Sequence, residues 1–183
     1  MFNQKLICGI DEAGRGPLAG PLVVAGAVLL EDVDDINDSK KISEKKREKI
    51  FENIKKASKY HIVMIFAREI DALGMSATLA KALLEIQENL KGYHHIFDGN
   101  SSFGVMGIET LVKADEKIKE VSAASILAKV TRDRYMCDIA SKYPKYNFEK
   151  HKGYGTKAHI QAIREYGRCA EHRMSFQVNG LDR

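Results

Sequence analysis

Two adjacent carboxylates, Asp11 and Glu12, close the first apolar run of the chain, and two further acids, Asp98 and Asp115, each stand after a later apolar run. Neighbouring acids at a strand end repel each other unless a cation lies between them, so a plain salt bridge accounts poorly for the pair. Four carboxylates, with no histidine or cysteine in the set, make an oxygen-rich group suited to hard divalent ions such as magnesium or manganese. Two such ions about 3.5–4 Å apart would clamp the attacking and leaving oxygens of a phosphodiester. One would turn a bound water into the nucleophile, and the other would stabilise charge on the leaving 3′ oxygen. Chemistry of this kind is mostly positioning and electrostatics, so no serine or cysteine nucleophile is required. Taken singly, each acid reads as a helix cap, a loop ligand or a surface charge. For Asp98 alone that reading prevails; for the set of four it does not.

The turn after the first pair, Ala13-Gly14-Arg15-Gly16-Pro17-Leu18-Ala19-Gly20-Pro21, holds three glycines, two prolines and one arginine. Glycines let backbone N–H groups approach a ligand, and arginine forks onto phosphate. A nucleotide cradle is the rival reading, but no Gly-Lys-Ser/Thr follows, and the two leading acids would repel a triphosphate. His94 and His95 lie upstream of Asp98, where strand alternation sends them to opposite faces, favouring structural or solvent roles over metal binding. Cys8, Cys137 and Cys169 are far apart and show no CxxC or zinc spacing. Neither a disulfide framework nor a zinc site is indicated, and a reducing cytoplasm fits.

A sheet must hold these acids. Residues 6–11 and 22–30 read as strands, the second apolar throughout, which points to a sheet covered on both faces. Ser43 caps a helix with Glu44 in its first turn and Ile50, Phe51, Ile54 and Ala57 as its buried stripe. Residues 60–66 form a third strand. A helix follows over residues 76–90, with Leu79, Leu83, Ile86 and Leu90 on one face and Gly92 as its stop. Residues 94–98 and 108–112 are strands four and five.

The connection over residues 99–107 is too short for a helical crossover. A hairpin there would put Asp98 and Asp115 at opposite ends of the sheet. Eight extended residues nevertheless reach about 26–29 Å, enough to run back beside a strand, and the residues alone leave both arrangements open. Residues 121–140 form a helix in which Ser122, Ile126, Lys129 and Asp133 share a face. Arg132 and Arg134 read as partners in ordinary surface ion pairs. Tyr143-Pro144 ends the helix, and residues 145–157 read as a basic, aromatic loop with Tyr146, Phe148, His151 and Tyr154. Thr156 then caps a short helix ending at Gly167, and the remaining tail is too brief for a second domain.

The 183 residues fit one domain with a single sizeable core. No apolar run approaches a membrane span, and residues 1–5 run straight into the first strand, so no secretory leader is expected. The net charge of +4 is mild, but residues 40–59 hold nine Lys/Arg against three Glu. Such a run is ordinarily a solvated helix face, and becomes a phosphate-binding face where other features point to nucleic acid.

The opening block resembles the ribonuclease HII (type 2 ribonuclease H) family. The resemblance continues in family order through Asp38-Ser39-Lys40-Lys41, Phe97-Asp98-Gly99-Asn100, Lys113-Ala114-Asp115, Val121-Ser122-Ala123-Ala124-Ser125-Ile126-Leu127-Ala128-Lys129-Val130, Arg132-Asp133-Arg134 and Gly153-Tyr154-Gly155-Thr156. It implies an α/β, ribonuclease H-like fold: a mixed five-stranded sheet flanked by helices, with a short helical C-terminal segment. Residues 1–183 would form one catalytic domain, with residues 145–183 as a loop and helix that contact substrate. It also implies the run-back arrangement for residues 99–107.

The activity implied is hydrolysis of the RNA strand of RNA–DNA hybrids and nicking 5′ to ribonucleotides embedded in duplex DNA, leaving a 3′ hydroxyl and 5′ phosphate. Two Mg²⁺ or Mn²⁺ ions would be held by Asp11, Glu12, Asp98 and Asp115, with Asp133 supporting them from behind. Gly14, Arg15 and Gly16 match the family turn that reads the 2′ hydroxyl, which distinguishes RNA from DNA. Tyr154 matches the family tyrosine that packs on the adjacent deoxyribose, although by itself it reads as a tyrosine packed in a glycine-rich turn. Ser39, Lys40 and Lys129 match phosphate contacts. His172 and Arg173 fall in a tail that departs from the commonest family form and receive no role. The protein is expected to act as a cytoplasmic monomer without membrane contact. A silent hybrid- or duplex-binding module is the alternative; the basic helix favours it, but a mere binder has no evident need for four clustered acids. The sister family, ribonuclease HIII, carries an extra N-terminal domain and a glutamate at the fourth acidic position, where this chain has Asp115.

Overall fold

A computed structural model of the protein describes residues 6–36 and 43–178. Five strands form one mixed sheet in the order β3-β2-β1-β4-β5: β1 (Ile7–Ala13), β2 (Leu22–Leu29), β3 (Ser58–Ile65), β4 (His94–Asp98) and β5 (Ile108–Leu111). The first three strands meander antiparallel, whereas β4 runs parallel to β1 and β5 parallel to β4. The helices are α1 (Glu44–Ala57), α2 (Ala67–Leu73), α3 (Met75–Asn89), α4 (Lys119–Ala140), α5 (Phe148–His151) and α6 (Lys157–Tyr166).

Alternation along β2 divides the core in two. Leu22, Val24 and Val28 pack with Leu79, Leu83 and Ile86 of α3. Val23, Ala25 and Ala27 face Ile50, Phe51 and Ile54 of α1 and the Ala123, Ala124, Leu127 and Ala128 stripe of α4. The sheet is thus covered on both sides, as an apolar strand of this length requires. α4 lies so close to β1 that a Cβ on Gly9 would overlap the backbone of Glu120 and Val121. The small residues of α4 and the bare Gly9 are two halves of one contact. The caps fall where expected: the Ser43 hydroxyl accepts from the Lys46 amide at 3.3 Å, and Thr156 from the His159 amide at 3.3 Å.

The connection over residues 99–107 runs back beside the sheet and places Ile108 next to His95 in parallel register. Positive φ at Phe103, Gly104 and Gly107 turns the chain. The Phe103 ring packs edge-on against Phe97 at 6.4 Å, and Gln87 Nε2 donates to the Met106 carbonyl at 3.0 Å. β4 and β5 therefore end at the same edge.

Residues 67–73, for which the sequence carried no expectation, form a short helix with Ala67 and Ile70 buried. Two expectations are corrected. The segment read as a loop at residues 145–157 contains a 3-10 turn (Pro144–Tyr146) and α5. Tyr146 and Phe148 stack at 5.3 Å and build a third core with Ala19, Met136, Ala162 and Ile163. Arg132 is no surface partner: it is 1% exposed, because its guanidinium donates to the carbonyls of Pro21 and Ala19, each at 3.0 Å. Arg134 does behave as expected, pairing with Glu48 and Glu52 on α1.

Candidate active site

Parallel pairing of β1 with β4 sets Ile10 beside Phe97, so Asp11 and Asp98 leave the sheet as neighbours. After β5 a single 3-10 turn, Ala114–Glu116, presents Asp115. The Ala114 amide donates to Asp98 Oδ1 at 3.2 Å. Ser122, in the first turns of α4, donates to the Asp115 carbonyl. One carboxylate oxygen each from Asp11, Asp98 and Asp115 falls within 4.8 Å of the others. Three separate chain segments thus converge on one point.

Glu12 is not in that group of three. Its Oε1 pairs with Arg15 Nη2 at 2.8 Å, and its backbone amide donates to Asp11 Oδ1 at 2.8 Å. Glu12 Oε2 is buried and has no hydrogen bond among the described residues. Burial pushes the Asp11 carboxyl up to about 8, helped by the negative charges of Glu12 and Asp98 and opposed by a hydrogen bond from Ser125. Burial also raises Glu12, while Arg15 draws it down and Asp98 pushes it up.

A hard divalent cation fits these residues. It would offer the crowded carboxylates the positive charge that burial and mutual repulsion demand, and it would satisfy the orphaned Glu12 oxygen. His94 and His95 take no part: His94 faces Glu109 at 2.9 Å, and buried His95 meets the Leu90 carbonyl at 3.0 Å.

Beside the acids lies a cleft of about 460 Å³ lined by Gly14, Arg15, Gly16, Arg47, Ser125, Lys129 and Tyr154. Tyr154 is 45% exposed. Its ring lies 5.9 Å from Lys129 Nζ and 5.5 Å from the Arg132 guanidinium. Asp133 Oδ1 holds Lys129 at 2.8 Å, one turn along α4. Asp133 is thus placed to aim a lysine, outside the three-acid group. Arg15 lies over the Phe103 ring at 5.6 Å. Ser39 and Lys40 lie outside the described residues.

Four further side chains that shape the site carry no role in the sequence pattern. Ser125 sits three residues after Ser122 and four before Lys129, so helical spacing alone places it on the same face. Arg47 belongs to the basic run of α1, in which no single cation stood out. Arg132 and Arg173 are legible only in three dimensions, because their partners lie more than a hundred residues away.

The profile of the family described as Ribonuclease HII matches residues 8–179. A ribonuclease HII of Sulfurovum sp. (strain NBC37-1) is 59% identical over 183 residues, covering 100% of this chain and 97% of that protein. One from Aliarcobacter butzleri (strain RM4018) is 60% identical over 180 residues, covering 97% and 94%. Among solved structures, the RNase HII of Archaeoglobus fulgidus, determined in a PCNA complex, superposes with a TM-score of 0.81 at 28% identity, covering 94% of this chain and 96% of that one. The ribonuclease H2 of Pyrococcus horikoshii OT3 gives 0.78 at 28% identity, covering 93% of each. With its full-length match and its convergent acids, the chain belongs to the ribonuclease HII family, metal-dependent endoribonucleases that act on RNA–DNA hybrids.

Proposed function

We propose that this protein cuts the RNA strand of RNA–DNA hybrids and also nicks duplex DNA 5′ to a single embedded ribonucleotide, leaving a 3′ hydroxyl and a 5′ phosphate. The observation that carries the reading is the convergence of Asp11, Asp98 and Asp115 beside a cleft walled by a glycine turn and a half-exposed tyrosine. Magnesium or manganese ions, two in number, would activate the attacking water and stabilise the leaving oxygen. Asp11, Glu12, Asp98 and Asp115 would hold them. The Asp98–Ala114 hydrogen bond holds one acid to the turn that presents another, and Ser125 steadies Asp11.

Substrate would lie along the cleft. Gly14, Arg15 and Gly16 would meet the ribose 2′ hydroxyl through the backbone, Tyr154 would pack on the neighbouring sugar, and Lys129, aimed by Asp133, would take a phosphate. Ser39 and Lys40 would add phosphate contacts. Arg47, which lines the same cleft, joins them as a cation facing the backbone. One catalytic domain, acting as a monomer in the cytoplasm, suffices for this, with the segment after residue 145 contacting substrate. Among the described residues no helix is long and apolar enough to cross a membrane.

The test is cleavage of a DNA duplex carrying one ribonucleotide, in Mg²⁺ or Mn²⁺, with wild type and Asp98→Asn. One nick 5′ to the ribonucleotide, absent in the variant and in chelator, is expected. Cleavage of long hybrids alone would remove the junction-reading roles of Gly14, Arg15, Gly16 and Tyr154. Tight binding without a cut under either metal would leave a binding module.

A further inference from the structure

Arg173 is 0% exposed, and among the described residues the hydrogen bonds of its guanidinium go to carbonyls of one turn. Nη2 donates to Gly14 at 2.6 Å and to Gly20 at 3.0 Å, Nη1 to Arg15 at 3.0 Å, and Nε to Gly20 at 3.1 Å. Neutral peptide oxygens take the hydrogen bonds of this buried cation, and Asp71 acts on it through charge. In a trans peptide the C=O and N–H point opposite ways, and the described residues contain no cis bond. The carbonyls of Gly14 and Arg15 are drawn inward to Arg173, so the amides that share those peptides, of Arg15 and Gly16, face away from it. Both residues line the cleft. Among the described residues a Cβ built on Gly16 meets nothing within 4 Å, which leaves this side of the turn open to a ligand.

We propose that Arg173 is a positioning residue for substrate recognition: it fixes the peptide orientation that presents the Arg15 and Gly16 amides as paired donors to a ribose hydroxyl in the cleft. The inference rests on the reading of the turn as a ribonucleotide reader. The rest of the tail fits the role. The Arg173 amide donates to the Leu18 carbonyl at 2.9 Å, and the Gly20 amide to the Glu171 carbonyl at 2.8 Å. Asp71 on α2 accepts from the amides of Met174 and Ser175 at 2.8 and 3.0 Å, pinning the segment just beyond. Lysine cannot replace this fork, because one ammonium does not span three carbonyls on separate residues.

The experiment measures affinity rather than turnover, with Ca²⁺ replacing Mg²⁺. The probes are a DNA duplex with one ribonucleotide and the identical all-DNA duplex. Wild type is expected to prefer the ribonucleotide duplex. Arg173→Lys should lower that preference at least about fivefold, the worth of one or two lost hydrogen bonds, while affinity for all-DNA duplex, set by phosphate contacts, stays within about twofold. Asp71→Ala, a change at a surface clasp, should shift the preference in the same direction by a smaller factor. A merely structural role would weaken both duplexes alike.

If wild type shows no preference, the reader role of the turn fails, and this inference with it. If wild type prefers the ribonucleotide but the folded variants keep that preference, or lose both affinities equally, the positioning role of Arg173 is overturned and the reader stands. Should Arg173→Lys not fold, the outcome with Asp71→Ala decides alone.

Discussion

The Asp98 carboxylate accepts a hydrogen bond from the amide of Ala114, 3.2 Å away and one residue before Asp115. The acid at the end of β4 is thereby held to the turn after β5 that presents the next one. The bond uses an oxygen that asparagine also has, so Asp98→Asn keeps the link and loses only the charge. We expect the variant to fold, with a melting temperature in chelator equal to or above wild type, since one buried negative charge is gone. Its Mg²⁺- or Mn²⁺-dependent cleavage should fall about a thousandfold or more. In wild type, Mn²⁺ should raise the melting temperature by mass action, and in Asp98→Asn that rise should shrink. Calorimetry with and without Mn²⁺, beside a cleavage assay, checks both parts.

Gly9 sits where β1 meets the start of α4, and a methyl there would strike the Glu120 and Val121 backbone. Backbone cannot swing aside as a side chain does. Gly9→Ala should cost about 3 kcal/mol or more in urea denaturation. It should also reduce cleavage beyond what the unfolded fraction explains, because α4 carries Ser122 and Ser125 to the acids.

His159 and His172 make a buried pair in the C-terminal core, Nε2 to Nε2 at 3.0 Å. The Cys169 amide donates to His172 Nδ1 at 2.9 Å, which assigns the His172 proton to Nε2. His159 then donates from Nδ1 to the Tyr154 carbonyl at 2.9 Å. Each ring has no room for a second proton. Burial first, then neighbouring positive charge, pulls both down to about 4, below the ordinary value near 6.5. Their stabilising contribution is therefore complete above about pH 6.5 and is lost as pH falls towards 4. Urea midpoints should drop between pH 7.5 and pH 5, with a shallower drop in His172→Asn. Asp11, whose carboxyl is raised, contributes the opposite slope, so the difference between the two proteins is the quantity to compare.

Tyr154 is held by its ring neighbours yet remains half in solvent. Truncating an exposed ring should change stability by no more than about 0.5 kcal/mol. Tyr154→Ala should lower kcat/KM on a duplex with one ribonucleotide by about tenfold or more, whereas Tyr154→Phe should retain most of it, because the contact is made by the ring face. Equal loss in both variants would shift the role to the hydroxyl.

Much of the site was legible along the chain. Asp11 and Glu12 stand out because two acids at the end of an apolar strand contradict burial unless a cation explains them. Asp98 and Asp115 repeat the pattern, and the glycines of residues 14–20 mark a turn where backbone must approach something. The strands, the Ser43 and Thr156 caps and the α3 and α4 stripes depend on spacings of two, three and four residues, which are local and need no fold to be seen.

What only the tertiary structure decided involves partners far apart in sequence. The parallel pairing of β4 with β5 depends on the path of residues 99–107, and composition does not specify a path. Arg132 and Arg173 look like surface cations in a chain with 29 Lys and Arg, and become struts only because carbonyls of residues 14–21 fold over them. Tyr146 and Phe148 read as loop aromatics until the C-terminal segment supplies Ala162, Ile163 and His172 to bury them. Glu12 shares a dipeptide with Asp11, yet it turns to Arg15 while Asp11 joins Asp98 and Asp115. Residue type and local period are carried by the chain itself, whereas burial, hydrogen-bond direction and the meeting of charges belong to contacts that exist only once the sheet has closed.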